Sequence, residues 1–281
     1  MRRSTVIMVI KRHPVLMFFA LAFLINWGGI AMNVAGLFPA FGEYSFGYDG
    51  NEVALFRGRR TLLNWAPNIA AVIVLGISSG MAGVTRLFQK FFVWRAGLRW
   101  WLAVVFIPVM IGGLSVLFYQ AAGGEMDFRY VKGLPVVFGM RFLFSLSLGS
   151  IGEEAGWRGF ALPRMQKRFG FLPAALLLGV VWGLFHWPTL MIRQVPLQDV
   201  PYFLGSIMAL SVLLAWVYHS TGSLLLVAVF HNTLNAVDVT LTYSFAAVVS
   251  RSNVMPVMTL VMAMTAVFVC FLTRSDRSCA E

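Results

Sequence analysis

The sequence predicts an all-α, polytopic integral membrane protein of about eight transmembrane helices. Three observations carry this. Of 281 residues, 59% are hydrophobic and only 12% charged, whereas a soluble domain carries about a quarter charged residues. Uncharged apolar runs of the length a spanning helix needs, roughly 20 residues, recur along the chain. No long polar stretch exists from which a soluble body could be built, so one anchor on a soluble domain is excluded.

The runs, in order, are Val15–Phe38, Thr61–Thr85, Trp100–Gly124 and Gly133–Gly152, the last interrupted by Arg141. Phe169–Ile192 is the fifth. Val200–Val237 has no Asp, Glu, Lys or Arg and is too long for one span, so the turn signal Thr221-Gly222 divides it into a sixth and a seventh. Ser252–Thr273 is the eighth. These spans leave only short loops and tails, which predicts a single membrane domain over 1–281 with no separate soluble one. The first run follows Arg2, Arg3, Lys11 and Arg12 but exceeds the apolar core of a signal peptide, so a retained helix is expected. Two cysteines, Cys270 and Cys279, exclude a disulfide framework or a cysteine-rich metal site.

The net charge of +11 would suggest nucleic acid in a soluble protein. Here it follows topology. With the N-terminus inside, the inner segments hold Arg2, Arg3, Lys11, Arg12, Arg86, Lys90, Arg95, Arg99, Arg158, Arg164, Lys167, Arg168, Arg274 and Arg277. The outer loops hold half as many: Arg57, Arg59, Arg60, Arg129, Lys132, Arg193 and Arg251. This bias places both termini in the cytoplasm. The expected surroundings are a lipid bilayer, with no nucleic-acid partner.

Ionisable side chains at membrane depth are costly and mark function by default. Those in this chain are Arg141, Glu153, Glu154, Arg158, His186, His219, His231 and Asp238. All fall between the fourth and seventh spans, so any chemistry is expected within 133–241. Glu154 and Arg158 lie four apart, on one face of a helix in the favourable order. Glu153 then has no basic partner nearby, which suits a general base; an interfacial charge cluster is the plainer reading. His186 lies in Trp182-Gly-Leu-Phe-His186-Trp187-Pro188, where a packed histidine with one hydrogen bond is the alternative. His231, Asn235 and Asp238 form a stripe on the seventh helix that should face a polar cavity, or else a helix-packing network. His219 and Arg141 carry weaker signals.

A turn at Phe169-Gly170 would put Glu153 and His186 at similar depth, 17 and 16 residues away on antiparallel helices. Pro163 makes the match approximate. His231 joins them only if the turn before the seventh helix is sunk into the protein.

These residues resemble the motifs of the CPBP family, the type II CAAX prenyl endopeptidases and bacteriocin-processing or bacteriocin-immunity proteins also called ABI. Glu153-Glu154-Ala-Gly-Trp157-Arg158 resembles its Glu-Glu-x-x-x-Arg motif, and His231-Asn232-Thr-Leu-Asn235 its His-x-x-x-Asn motif. Trp182-Gly-Leu-Phe-His186 resembles Phe-x-x-x-His, with Trp in place of Phe. Each motif is short; together, in order on successive apolar helices, they are specific.

The resemblance implies an intramembrane endopeptidase with a chamber open to the cytoplasm, in a bacterial-type cell membrane, acting on a membrane-embedded, membrane-associated or lipidated substrate. Glu153 would activate water and His186 would help hold it. His231 and Asn235 would stabilise the oxyanion, and Glu154 with Arg158 would position the first glutamate. Trp182 and Asp238 would support the site. A metalloprotease reading also stands, with Glu153, His186 and His231 holding a divalent metal such as zinc. A non-catalytic immunity or scaffold protein is the alternative. A small transporter predicts polar residues in both halves, against their confinement here.

Overall fold

A computed structural model describes residues 2–37, 45–49, 52–56, 63–124, 138–139, 142–143, 145–245 and 251–278. It is an all-α polytopic membrane protein. Among the described residues, six helical stretches are long and apolar enough to cross a bilayer: Pro14–Met32, Leu63–Phe92, Leu98–Ala121, Leu197–Thr221, Leu224–Leu241 and Val254–Phe271. Phe171–Phe185 is a shorter apolar helix.

The chain starts with α1 (Arg2–Arg12) and α2 (Pro14–Val34). Two strands follow, β1 (Ser45–Asp49) and β2 (Glu52–Phe56). They pair antiparallel, Ser45 opposite Phe56 and Asp49 opposite Glu52. This hairpin lies in what the sequence presents as a plain outer loop.

Then come α3 (Ala66–Gln89) and α4 (Leu98–Ala121). Gly80 interrupts α3 at φ +67°, a left-handed value that glycine adopts without a Cβ penalty. Part of the fourth expected span, including Arg141, lies outside the described residues. From Leu146 onward the chain is helical but not uniformly α. Leu146–Ser150 is π-helical, α5 (Ile151–Glu154) is one α turn, and Ala155–Ala161 is π-helical again. The run ends in α6 (Leu162–Phe169).

Gly170, at φ +78°, reverses the chain into α7 (Phe171–Phe185). The fifth expected span is not continuous. It breaks at His186 before α8 (Trp187–Ile192), because Pro188 has no N–H to continue the ladder. After it come α9 (Val200–Thr221), α10 (Leu224–Phe245) and α11 (Arg251–Ser278). The turn between α9 and α10 is the one that Thr221-Gly222 signals. Gly222 is left-handed at φ +64° and its N–H bonds the Tyr218 carbonyl at 2.8 Å, the usual helix ending. Ser223 Oγ then accepts the Leu226 N–H at 3.1 Å and caps α10.

Helix α9 packs between α7 and α11, α10 lies along α4, and α3 lies against α2 and the second π segment. Small residues set several of these approaches, as membrane packing requires. A Cβ on Gly179 would come within 2.8 Å of the Met208 backbone, and one on Gly112 within 2.3 Å of Val237.

Candidate active site

Glu153 and Glu154 sit on α5, the α turn between the two π segments. Both are buried, at 4% and 0% exposure. Adjacent residues on a helix point about 100° apart, and the two carboxylates find different partners.

Glu154 forms the charged cluster. Arg158 Nη1 reaches both its oxygens, at 3.1 and 3.2 Å, and both side chains are fully buried. This is the four-residue pairing that the spacing predicts. The Arg158 guanidinium also lies over the Trp182 indole, 4.1 Å from the ring centre. The third member is His231, whose Nδ1 is 2.7 Å from Glu154 Oε1 across 77 residues of sequence.

Glu153 meets no cation of this kind. Its Oε2 accepts the Trp182 Nε1–H at 2.7 Å and the Trp157 Nε1–H at 3.3 Å. Its other oxygen takes no hydrogen bond from the described residues. Two neutral donors on one oxygen orient the carboxyl and leave Oε1 for another partner.

Trp182 is the hub. Its ring stands edge-on to His231 at 5.1 Å between centroids, and the His186 ring is 6.0 Å away. Glu153, Arg158, His186 and His231 therefore surround the Trp182 indole, and Glu154 joins them through Arg158 and His231. The depth match differs slightly from the spacing estimate. Glu153 bonds Trp182, one turn before His186. The estimate assumed α-helical rise, while a π segment is wider and advances less per residue. His186 is half-buried, against Phe185 and Phe203.

His231 arrives from α10 because that helix begins deep. Ser223 and Leu224 are fully buried directly after the exposed Gly222. Asn235 and Asp238 follow on α10, both half-buried. Asn235 makes no hydrogen bond among the described residues, so the structure does not draw it to the glutamates as it does His231. Arg141 lies outside the described residues. His219 sits at the end of α9, edge-on to Phe171 at 5.5 Å.

Several supporting groups carry no ionisable signal. Trp157 was visible only as a letter inside the first motif. Asn232 is fully buried and its Nδ2 donates to the Phe142 carbonyl at 2.8 Å. Trp27 on α2 donates to the Phe185 carbonyl at 3.1 Å. The helix leaves that carbonyl unused, since the Thr189 N–H turns to His186 instead. Asn68 on α3 bonds the backbone on either side of the glutamate pair. A polar Asn68 inside an apolar run was the available clue.

The expected zinc set is Glu153, His186 and His231. Among the described residues no three His, Cys, Asp or Glu side chains are grouped to hold a metal ion. The bonds on Glu153 Oε2 and His231 Nδ1 leave Glu153 Oε1 and His231 Nε2 without a partner among the described residues.

Comparison with known proteins bears on this segment. Residues 135–237 match the family model for type II CAAX prenyl endopeptidases, described as Rce1-like. A CAAX prenyl protease 2 of Methanococcus maripaludis is 28% identical over 148 residues, covering 47% of this chain and 51% of the relative. The alignment thus spans about half the length of the curated relative it matches. The matched residues 135–237 take in both glutamates, Arg158, the indole hub and both histidines. Through this segment the chain is similar to the Rce1-like type II CAAX prenyl endopeptidases.

Proposed function

We propose that this chain is an intramembrane endopeptidase of the CAAX type. It hydrolyses a peptide bond of a membrane-associated or lipidated substrate in a chamber open to the cytoplasm. The observation that carries the reading is the pair of indole donors on Glu153 Oε2. They fix the carboxyl without neutralising it and leave its second oxygen to take a proton from water. Glu153 is the base: the water's proton passes to Oε1, its oxygen attacks the scissile carbonyl carbon, and the proton then goes to the leaving amine. His186 helps hold the water. His231 and Asn235 receive the oxyanion, with Nε2 of His231 as donor while Nδ1 stays on Glu154. Glu154 and Arg158 hold His231 and the glutamate turn, and Trp182 ties the two clusters together. Asp238, two turns beyond His231, supports the polar face of α10.

The two-to-one excess of Lys and Arg on the inner segments supports both termini in the cytoplasm. The likeness to the CAAX prenyl protease supports the substrate class.

The test is cleavage of a membrane-anchored peptide by the purified chain in proteoliposomes. The native chain cleaves, Glu153→Gln does not, and a chelator leaves the native rate unchanged. Chelator-sensitive cleavage replaces this mechanism with a metal-dependent one. No cleavage of any anchored peptide removes the enzyme reading.

A further inference from the structure

We propose that Asn68, on α3 and outside the matched segment, is a positioning residue that sets the orientation of Glu153 and Glu154. The inference rests on the protease reading above and names a residue that the three motifs do not contain.

Asn68 is 2% exposed. Its Nδ2 donates to the Ile151 carbonyl at 2.7 Å, and its Oδ1 accepts the Gly156 N–H at 2.9 Å. Between these two anchor points lie only Gly152, Glu153, Glu154 and Ala155. In an unbroken α-helix, the Ile151 carbonyl would pair with the residue-155 N–H, and the Gly156 N–H with the residue-152 carbonyl. Here π-helical segments flank the glutamates. One side-chain amide bridges the carbonyl and the N–H of residues five apart. Side-chain insertion into the ladder is a recognised cause of helix distortion, and single π turns recur at functional sites.

The surrounding contacts show that α3 is seated on this turn. A Cβ on Gly156 would come within 2.5 Å of the Pro67 carbonyl, and one on Gly152 within 2.8 Å of the Trp65 ring. Trp65, Pro67 and Asn68 therefore abut both ends of the glutamate pair at near-backbone distance. Only a primary amide fits the role. It offers a donor and an acceptor side by side, matched to one C=O and one N–H. Aspartate keeps the acceptor and loses the donor, and leucine loses both.

A residue that merely joined helices would affect folding and leave each folded molecule as active as before. Ser211 supplies that comparison: its Oγ donates to the Ala175 carbonyl at 2.7 Å, a buried bond between α9 and α7. The experiment compares Asn68→Leu, Asn68→Asp and Ser211→Ala with the native chain in detergent. It reads kcat and KM per folded molecule, and the NMR resonance of the Trp182 indole N–H, assigned by its absence in Trp182→Phe. Misplacing a catalytic group by about 1 Å costs about 10²-fold. The expected result is a kcat loss of that order for Asn68→Leu, with KM little changed and the Trp182 indole proton moved upfield. Ser211→Ala keeps native kcat and the native resonance. Should Asn68→Leu not fold, Asn68→Asp carries the same comparison. Native kcat and a native Trp182 resonance in a folded Asn68 variant overturn the proposal. If the native chain cleaves nothing, the protease reading falls, and the Trp182 resonance alone decides whether Asn68 sets the glutamate geometry.

Discussion

Removing Arg158 tests the buried charge cluster most directly. The guanidinium and the Glu154 carboxylate are both fully buried, with Nη1 at 3.1 and 3.2 Å from the two oxygens. Opposite unit charges about 4 Å apart attract by about 4 kcal/mol at an effective dielectric constant near 20. Arg158→Met removes that attraction and the cation–π contact with Trp182, and leaves Glu154 buried with His231 as its remaining partner. Breaking one side of a buried pair costs about 3–5 kcal/mol. At roughly 2–4 °C per kcal/mol for a chain of this size, the melting temperature should fall by about 6–20 °C. Glu154→Gln alone strands the cation and should also destabilise. The double variant should recover much of the loss, because replacing a whole buried pair with neutral residues is often near neutral. The assay is thermal or denaturant unfolding of the four proteins in one detergent. If the two single losses add in the double variant to within about 0.5 kcal/mol, Glu154 and Arg158 are not coupled and the reasoning fails.

Trp182→Phe keeps a ring between the clusters but deletes the 2.7 Å bond to Glu153. Losing a hydrogen bond to a carboxyl costs about 1–3 kcal/mol, so kcat should drop about tenfold or more, and an unchanged kcat would remove the indole from the mechanism. Gly156→Ala drives a Cβ to 2.5 Å from the Pro67 carbonyl. Forcing α3 off the glutamate turn should cost about 1–3 kcal/mol and lower activity with it; a variant as stable as the native chain would mean that α3 does not bear on this turn. Reporters that fold only in the cytoplasm should be active at both the N- and the C-terminus, and one silent end would reverse the topology.

Composition alone set the class, since 12% charged residues in 281 leave no material for a soluble body. Spacing along the chain set what is local. The turns at Gly170 and Gly222 and the Glu154–Arg158 pair all follow from short-range backbone or helical-period rules, and all stand in the structure. The hairpin of β1 and β2 and the break at His186 were missed. In the hairpin Phe46 and Tyr48 alternate with Ser45, Gly47 and Asp49, a five-residue strand pattern that a search for spans of about 20 residues passes over, and hydropathy reads straight through a proline in an apolar run.

The site itself is only half local. Its glutamates, histidines and hub tryptophan were legible because an ionisable or polar motif stands out in an apolar helix. Their pairing was not. His231 lies on Glu154 rather than Glu153, Trp182 rather than a cation holds Glu153, and Asn68 reaches the motif from a helix with no ionisable signal. Such contacts depend on how far each helix is rotated and how deep it starts. Two π segments alter both around Glu153, and a buried start alters the depth of α10. Periodicity fixes which residues share a face of one helix, whereas the packing of several helices decides which faces meet.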